Sequence, residues 1–221
     1  MQPTTETVRS SHEQLLREMK RTKGARFNAS KRLETRDRKR TATTAYASAA
    51  VIILTLIPAF LPSPPFIVGA INLTTVAFSL LILASSLLQT SSADPVKADQ
   101  FQRCALEINS LRRELRGLVD FDEGTVARYS ARYDDILRSY NINHDDVDNE
   151  KYRLEHPDEF PAFTAEEDKS ARRDVNKQKA AFELATSAII SLTAGIAAAA
   201  AAAASPFGER LVELVKRLLS Q

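Results

Sequence analysis

The sequence predicts an all-α membrane protein: a membrane-embedded two-helix hairpin with flanking cytoplasmic amphipathic helices. Two observations predict it. No Asp, Glu, Lys, Arg or His occurs from Thr41 to Ala93, although 26% of the chain is charged. Within this gap, Leu-Pro-Ser-Pro-Pro at 61–65 separates two apolar runs, each long enough to cross a hydrocarbon core of roughly 30 Å as a helix. Two such adjacent runs are rare in soluble domains, so a buried soluble hairpin is disfavoured.

The two membrane-spanning helices are predicted at about 43–61 and 66–88. The prolines between them end one helix and begin the next, because proline lacks an amide proton and clashes with the preceding turn. Pro58 lies in the last turn of the first span and is a candidate kink.

The orientation follows from the basic residues that precede the first span. The segment 31–40 is rich in Lys and Arg, the turn has neither, and Lys97 and Arg103 follow the second span. The N-terminus and residues 94–183 are therefore predicted to be cytoplasmic, with the turn at 62–65 outside.

Each span carries a stripe of polar side chains at helical spacing. These candidate pore or helix-interface residues are Thr44, Ser48 and Thr55 in the first span, and Asn72, Thr75, Ser79 and Ser86 in the second. Polar groups in lipid seek partners inside a bundle. Two interpretations stay open: contacts between packed helices, or the wall of an oligomeric pore.

Before the spans, residues 1–10 are expected to be disordered. A helix is predicted from Ser11, where Ser11 and Gln14 form a weak capping box, and Gly24 is a candidate interruption. The basic run up to Arg40 is interpreted as a topology signal that contacts lipid headgroups. No recognition motif accompanies it, so no specific nucleic-acid binding is predicted.

After the spans, two amphipathic helices are predicted, separated by a break between Gly117 and Gly124. Their apolar positions recur at helical spacing, and we interpret this aromatic and aliphatic stripe as core rather than a ligand site. The residues of the stripe are Phe101, Cys104, Ala105, Ile108, Leu111, Leu115 and Leu118, then Val126, Tyr129, Tyr133, Ile136, Leu137 and Tyr140.

Between Asn141 and Ala165 the helical periodicity stops. The stretch His144 to Glu150 is acidic but lacks the central glycine and the carboxylate spacing of an EF-hand. We therefore predict no metal site and no cofactor. No phosphate-binding loop, catalytic triad or paired-carboxylate site can be identified, and the chain is not expected to be an enzyme.

The C-terminal part, 166–221, is predicted to hold an alanine-rich helix and an amphipathic tail from Phe207. The stretch from Leu184 to Ser205 is free of charge and includes eight consecutive alanines, Ala197 to Ala204. Few of its residues are strongly apolar, so insertion would be marginal. A third embedded helix and a helix packed on protein both remain open.

Several segments occur in a fixed order around the hairpin: Arg26-Phe27-Asn28-Ala29-Ser30-Lys31-Arg32-Leu33 before it, then Ala98 to Cys104, Tyr133 to Leu137, Tyr140-Asn141-Ile142-Asn143-His144, and Asp148 to Tyr152. With these segments, the predicted domain at 11–165 resembles the SLATT domains, two-span effectors associated with SMODS nucleotidyltransferases and SLOG sensors in bacterial conflict systems. The resemblance covers about residues 15–160.

The resemblance implies an antiviral effector that oligomerises and forms a pore or perturbs the inner membrane when triggered by a nucleotide signal or a sensor. It implies a nucleotidyltransferase, a SLOG-type sensor or a reverse transcriptase encoded nearby. The alternative is a non-conducting membrane anchor or adaptor that recruits a cytoplasmic partner.

Overall fold

In the computed structural model, which describes residues 5–60, 64–161 and 164–203, every regular element is helical. The all-α prediction is therefore confirmed. The helices are α1 (Thr5–Phe60), α2 (Pro65–Ser92), α3 (Asp94–Arg116), α4 (Glu123–Tyr140), α5 (Asp146–Glu155) and α6 (Ala165–Ala203), with a 3₁₀ turn at Pro157–Glu159 between α5 and α6. Two sequence-based expectations, the turn residues 61–63 and the tail from Phe207, lie outside the described residues.

Helix α1 is longer and more continuous than the sequence predicted. It begins at Thr5, so residues 5–10, expected to be disordered, are helical. It also passes through Gly24 without interruption and through Pro58 near its end. A glycine inside a helix costs about 1 kcal/mol relative to alanine. Here tertiary contacts outweigh that cost, because the ring of Tyr152 packs directly against Gly24.

The chain forms two compact units, which we call the bundle unit (1–37 and 93–178) and the hairpin unit (38–92 and 179–221). Helix α1 contributes its first part to the bundle unit and its last part to the hairpin unit, and α6 is divided in the same way.

The hairpin unit has a narrow core and a wide apolar surface. Small and branched residues of α1 and α2 form the core, which comprises Ala47, Ala50, Leu54, Ile57, Ile67, Ile71 and Phe78, joined by Ile189 of α6. Only 22% of the apolar stretch of α1 and 17% of that of α2 is buried. The core helices of a soluble protein would be mostly buried, so the two helices have the length, composition and exposure of membrane spans.

The alanine-rich helix packs on this hairpin core. Ile189 of α6 is buried in the core, and Ile196 packs against it. The apolar stretch of α6, Ser187–Ile196, is shorter than the roughly 20 residues that a transmembrane helix needs. The described residues thus hold two candidate spans, and α6 contributes a supporting face to them.

The bundle unit has the core that the apolar stripe predicted. One cluster joins Leu15 and Met19 of α1 to α3 and α4, where Ile108, Leu115 and Tyr133 are buried. A second cluster joins Ala29 and Leu33 of α1 to Ala98 and Phe101 of α3. Interpreting the aromatic stripe as core was therefore correct.

Helix α5 is absent from the sequence-based prediction, which expected no helix between Asn141 and Ala165. The helix is short, and its N-terminus is closed by a capping box in which the side chains of Asp145 and Asp148 bond reciprocally to backbone N–H groups. Only Asp148 and Tyr152 of α5 are buried. The sequence shows no apolar periodicity here, because polar contacts rather than a buried apolar face hold this helix in place.

The exposed apolar face of α2 gives a direct test of membrane insertion. Leu80→Arg should lower the fraction of protein that resists alkaline carbonate extraction, because arginine at a span centre is about 3 kcal/mol less favourable than leucine. Val119→Arg is the matched control, since Val119 is 91% exposed in the bundle unit. Equal extraction of the two variants would contradict a membrane-embedded α2.

Candidate functional site

The seven polar residues predicted to line the spans fall into two groups. Thr55, Asn72, Ser79 and Ser86 are exposed on the hairpin unit, whereas Thr44, Ser48 and Thr75 are half-buried. Three of the hydroxyls are satisfied within their own helix. Ser48 donates to the carbonyl oxygen of Thr44 at 2.9 Å, Ser79 to that of Thr75 at 2.9 Å, and Thr55 to that of Ile52 at 2.9 Å. Such internally bonded hydroxyls need no partner in lipid.

Asn72 differs from these hydroxyls. Its side chain is exposed, and its amide makes no hydrogen bond to another described residue. An asparagine side chain has two N–H donors and an acceptor, and a helix backbone cannot satisfy them. Asn72 is therefore the exposed group of the hairpin with the strongest demand for a polar partner.

Two further hydroxyls of the hairpin unit lack partners. The Oγ1 atoms of Thr44 and Thr75 are buried and have no hydrogen-bond partner among the described residues. A buried unpaired hydroxyl costs about 1–3 kcal/mol. Together with Asn72, they are polar groups of the spans that have no hydrogen-bond partner among the described residues.

A second polar site lies in the bundle unit, along one ridge of α1. Every fourth residue from 20 to 36 contacts another segment through a polar group or a close approach: Lys20, Gly24, Asn28, Arg32 and Arg36. Residues four apart are neighbours on a helix surface. The first four contact the segment 145–160, which we call the acidic segment, and the fifth contacts the start of α3.

Arg32 and Asp148 form the centre of this ridge. The Nε and Nη2 atoms of Arg32 donate to the two carboxylate oxygens of Asp148, both at 2.8 Å, and Nη2 also lies 2.7 Å from Asp145 Oδ2. Asn28 donates to the backbone carbonyl of Asp148 at 3.2 Å. The hydrogen bond to Asp148 raises the pKa of Arg32. These carboxylates bind an arginine, and the described residues include no metal-binding cluster of His, Cys, Asp and Glu.

Gly24 and Tyr152 define the other end of the contact. A Cβ atom on residue 24 would lie 2.1 Å from Cε2 of Tyr152, so only glycine permits this approach. The Tyr152 ring stacks on His156 at 4.2 Å, and its hydroxyl donates to Glu159 at 3.2 Å. Lys20 donates to the same carboxylate.

Glu159 is held ionised by this arrangement. Burial alone would raise the pKa of its carboxyl, but the hydrogen bond and charge of Lys20 lower the pKa below the ordinary value. Arg21 donates to the backbone carbonyl of Glu159, and its guanidinium lies 4.3 Å from the centre of the Phe160 ring. Cationic groups of α1 thus bind the whole end of the acidic segment.

Arg36 binds the first residue of α3. It donates to both oxygens of Asp94 at 2.7 and 2.5 Å, and the Asp94 side chain is 1% exposed. The preceding residue, Ala93, has a φ of 50° in the left-handed region, where α2 ends and α3 begins. This bidentate pair holds the beginning of α3 on α1.

Arg26 is buried beside Cys104 and His144. It is 4% exposed, and its Nη1 lies 3.0 Å from Cys104 Sγ, while its Nε has no hydrogen-bond partner among the described residues. Burial raises the pKa of the Cys104 thiol. Burial also lowers the pKa of His144, and the charge of Arg26 lowers it further, against the opposing carboxylates Asp148, Asp146 and Asp145.

The sequence predicted the polar residues of the spans but missed the ridge on α1. The basic run was interpreted as a topology signal, yet Arg26, Arg32 and Arg36 each have a specific partner within the chain. The available signal was a spacing of four residues between Lys20, Gly24, Asn28, Arg32 and Arg36. This spacing indicates that the five residues share one face of a helix, but not which residues that face contacts.

Comparison with known families gives a match over most of the chain. The family model described as SMODS and SLOG-associating 2TM effector domain family 5 matches residues 8–201. The match is wider than the resemblance at 15–160 and extends into the alanine-rich helix. No curated protein and no solved structure matches the chain.

The Arg36–Asp94 pair predicts a stability effect. Asp94→Asn should lower the free energy of unfolding of the detergent-solubilised protein by about 2 kcal/mol, because the charge-assisted hydrogen bonds of a buried carboxylate are lost. Asp99→Asn removes the ion pair between Asp99 and Arg103 on the surface of α3, where the carboxylate is 54% exposed. This loss should cost less than about 0.5 kcal/mol. Circular dichroism during denaturation measures both, and equal losses would argue against the role of Asp94.

The environment of His144 predicts a pH dependence. Because the folded state lowers the pKa of His144, the unfolded chain takes up the proton first as the pH falls through about 6.5. The melting temperature should therefore fall between pH 7.5 and 5.5. In His144→Gln the fall should be smaller, and an identical pH profile for the two proteins would contradict this prediction.

Proposed function

Because the chain belongs to SMODS and SLOG-associating 2TM effector domain family 5, we propose that it is the membrane effector of a prokaryotic antiviral system and opens the inner membrane when triggered. The family assignment and the two apolar helices identify a two-span membrane effector domain of a conflict system. Assembly into a pore is the further step that we propose.

The observation that carries the proposal is the unsatisfied amide of Asn72. In lipid, an exposed asparagine favours association with another helix or a water-filled lumen. Asn72, Ser79 and Ser86 are spaced seven apart on exposed positions of α2. If several copies face a common axis with this line of polar groups, the groups can hydrogen-bond to water and to one another.

The proposed orientation places the bundle unit and both ends of the hairpin in the cytoplasm, with the turn at 62–65 outside. Arg38, Lys39 and Arg40 stand directly before the first span and support this orientation under the positive-inside rule. The trigger would then reach the bundle unit from the cytoplasm.

The family description names the expected partners. It links the family to SMODS and SLOG proteins. We propose that a nucleotidyltransferase, a SLOG-type sensor or a reverse transcriptase encoded nearby supplies the trigger. The bilayer and further copies of the chain complete the assembly.

A non-conducting anchor or adaptor is the second candidate. The bundle unit has apolar cores of its own, and its surface exposes Leu106 by 51% and Val119 by 91%. A folded unit with exposed apolar side chains can bind a cytoplasmic partner without any conduction.

A depolarisation assay distinguishes the two candidates. The chain is induced in a bacterial host together with its neighbouring genes, and a potential-sensitive dye and propidium entry are recorded. A pore predicts rapid depolarisation that Asn72→Leu reduces, because replacing the amide removes about 1–2 kcal/mol of association. Leu80→Val is the matched control on the apolar face and should leave depolarisation unchanged.

Two results would contradict the proposal. Equal depolarisation by the Asn72→Leu and wild-type proteins would show that Asn72 does not contribute to a pore. Growth arrest without depolarisation would favour the adaptor, whose hairpin an unrelated two-span hairpin should be able to replace.

A further inference from the structure

We propose that the acidic segment (145–160) is an autoinhibitory element whose release from α1 switches the protein from its resting to its active state. The structure shows the segment docked on α1 through four consecutive ridge positions. The docked form is the resting state. The consequence for membrane opening rests on the proposed function, whereas docking and release can be measured without it.

The first observation is the order of the contacts. Lys20, Gly24, Asn28 and Arg32 contact Glu159, Tyr152, Asp148 and again Asp148, so the segment runs antiparallel to α1. Residues 20 and 32 are three turns apart on the helix. The segment therefore docks as a unit along one ridge instead of touching α1 at a single point.

The second observation is that most of the docking contacts are polar. The buried ring of Tyr152 packs against Gly24, but no residue of the acidic segment belongs to the buried apolar clusters of the bundle unit. Those clusters join α1, α3 and α4 to one another. Undocking would therefore leave the apolar core of the three helices intact, as a reversible switch requires.

The third observation is the burial of the central charge. The side chain of Asp148 is 2% exposed and that of Arg32 is 13% exposed. A buried ion pair often adds no more stability than apolar residues would, but removal of one partner strongly destabilises the contact. The acidic segment is therefore expected to be either fully docked on α1 or released from it, with few stable intermediate arrangements.

The fourth observation is where the ridge leads. Helix α1 continues without a break from Lys20 to Phe60 and carries the first span. Release of the acidic segment would uncover Lys20, Arg21 and Arg32 on this same helix. A change of charge on the ridge thus acts on the helix that enters the hairpin unit.

Hydrogen–deuterium exchange of the full chain in lipid nanodiscs tests the docking. Asp148→Asn and Gly24→Ala should each raise amide exchange in α5 by at least about tenfold, because the first removes the buried counter-charge and the second displaces the Tyr152 ring. Exchange in α3 and α4 should not change. Asp99→Asn, an exposed neutralisation on α3, is the control for lost charge.

A cross-link tests the regulatory role. Lys20→Cys and Glu159→Cys replace a contacting pair, and a short bis-maleimide then fixes the segment on α1. Native Cys104 is fully buried and should not react. Asp148→Asn protein in dye-loaded vesicles should leak without a trigger, and the same variant with the cross-link should not. Growth arrest of the host by Asp148→Asn should likewise exceed that by the wild type.

Three outcomes have defined meanings. If exchange in α5, α3 and α4 rises together in Asp148→Asn, the segment is an inseparable part of the core and the proposal is wrong. If α5 alone is released but growth arrest and leakage match the wild type, release has no regulatory role and the proposal is also wrong. If released variants arrest growth without leakage, the switch is supported and the pore is contradicted.

Discussion

The paired side chains along one ridge of α1 are the constraint on which the bundle unit depends. A helix places every fourth residue on a neighbouring part of its surface, so Asn28, Arg32 and Arg36 can hold separate segments at successive turns. Arg32 binds Asp148 and Arg36 binds Asp94, each through two hydrogen bonds. The single long helix thereby determines where α5 and α3 begin.

Charge has different roles in the two units. In the bundle unit, Asp94 and Asp148 are buried with arginine partners, and these pairs hold the beginnings of α3 and α5 on α1. In the hairpin unit, the described spans carry no charge, and apolar residues form both the core and the surface. Several hydroxyls there bond within their own helix, whereas the buried Oγ1 atoms of Thr44 and Thr75 have no partner among the described residues.

These features fit a membrane effector that has a resting form. A bundle with a complete apolar core can stay folded while a polar contact on its surface opens. The polar groups of the hairpin that lack a partner among the described residues are the feature on which the proposed assembly rests. The first property allows regulation and the second favours assembly, and α1 belongs to both units.

The sequence by itself determined the hairpin, the amphipathic helices and the apolar core of the bundle. The absence of charge over a membrane-length segment and the helical periodicity are properties of consecutive residues. They can therefore be recognised without knowledge of the tertiary structure. Tertiary structure alone decided helix α5, the continuity of α1 through Gly24 and the partners of Arg32 and Arg36. Arg32 and Asp148 are 116 residues apart, and no local pattern specifies which distant carboxylate an arginine will meet.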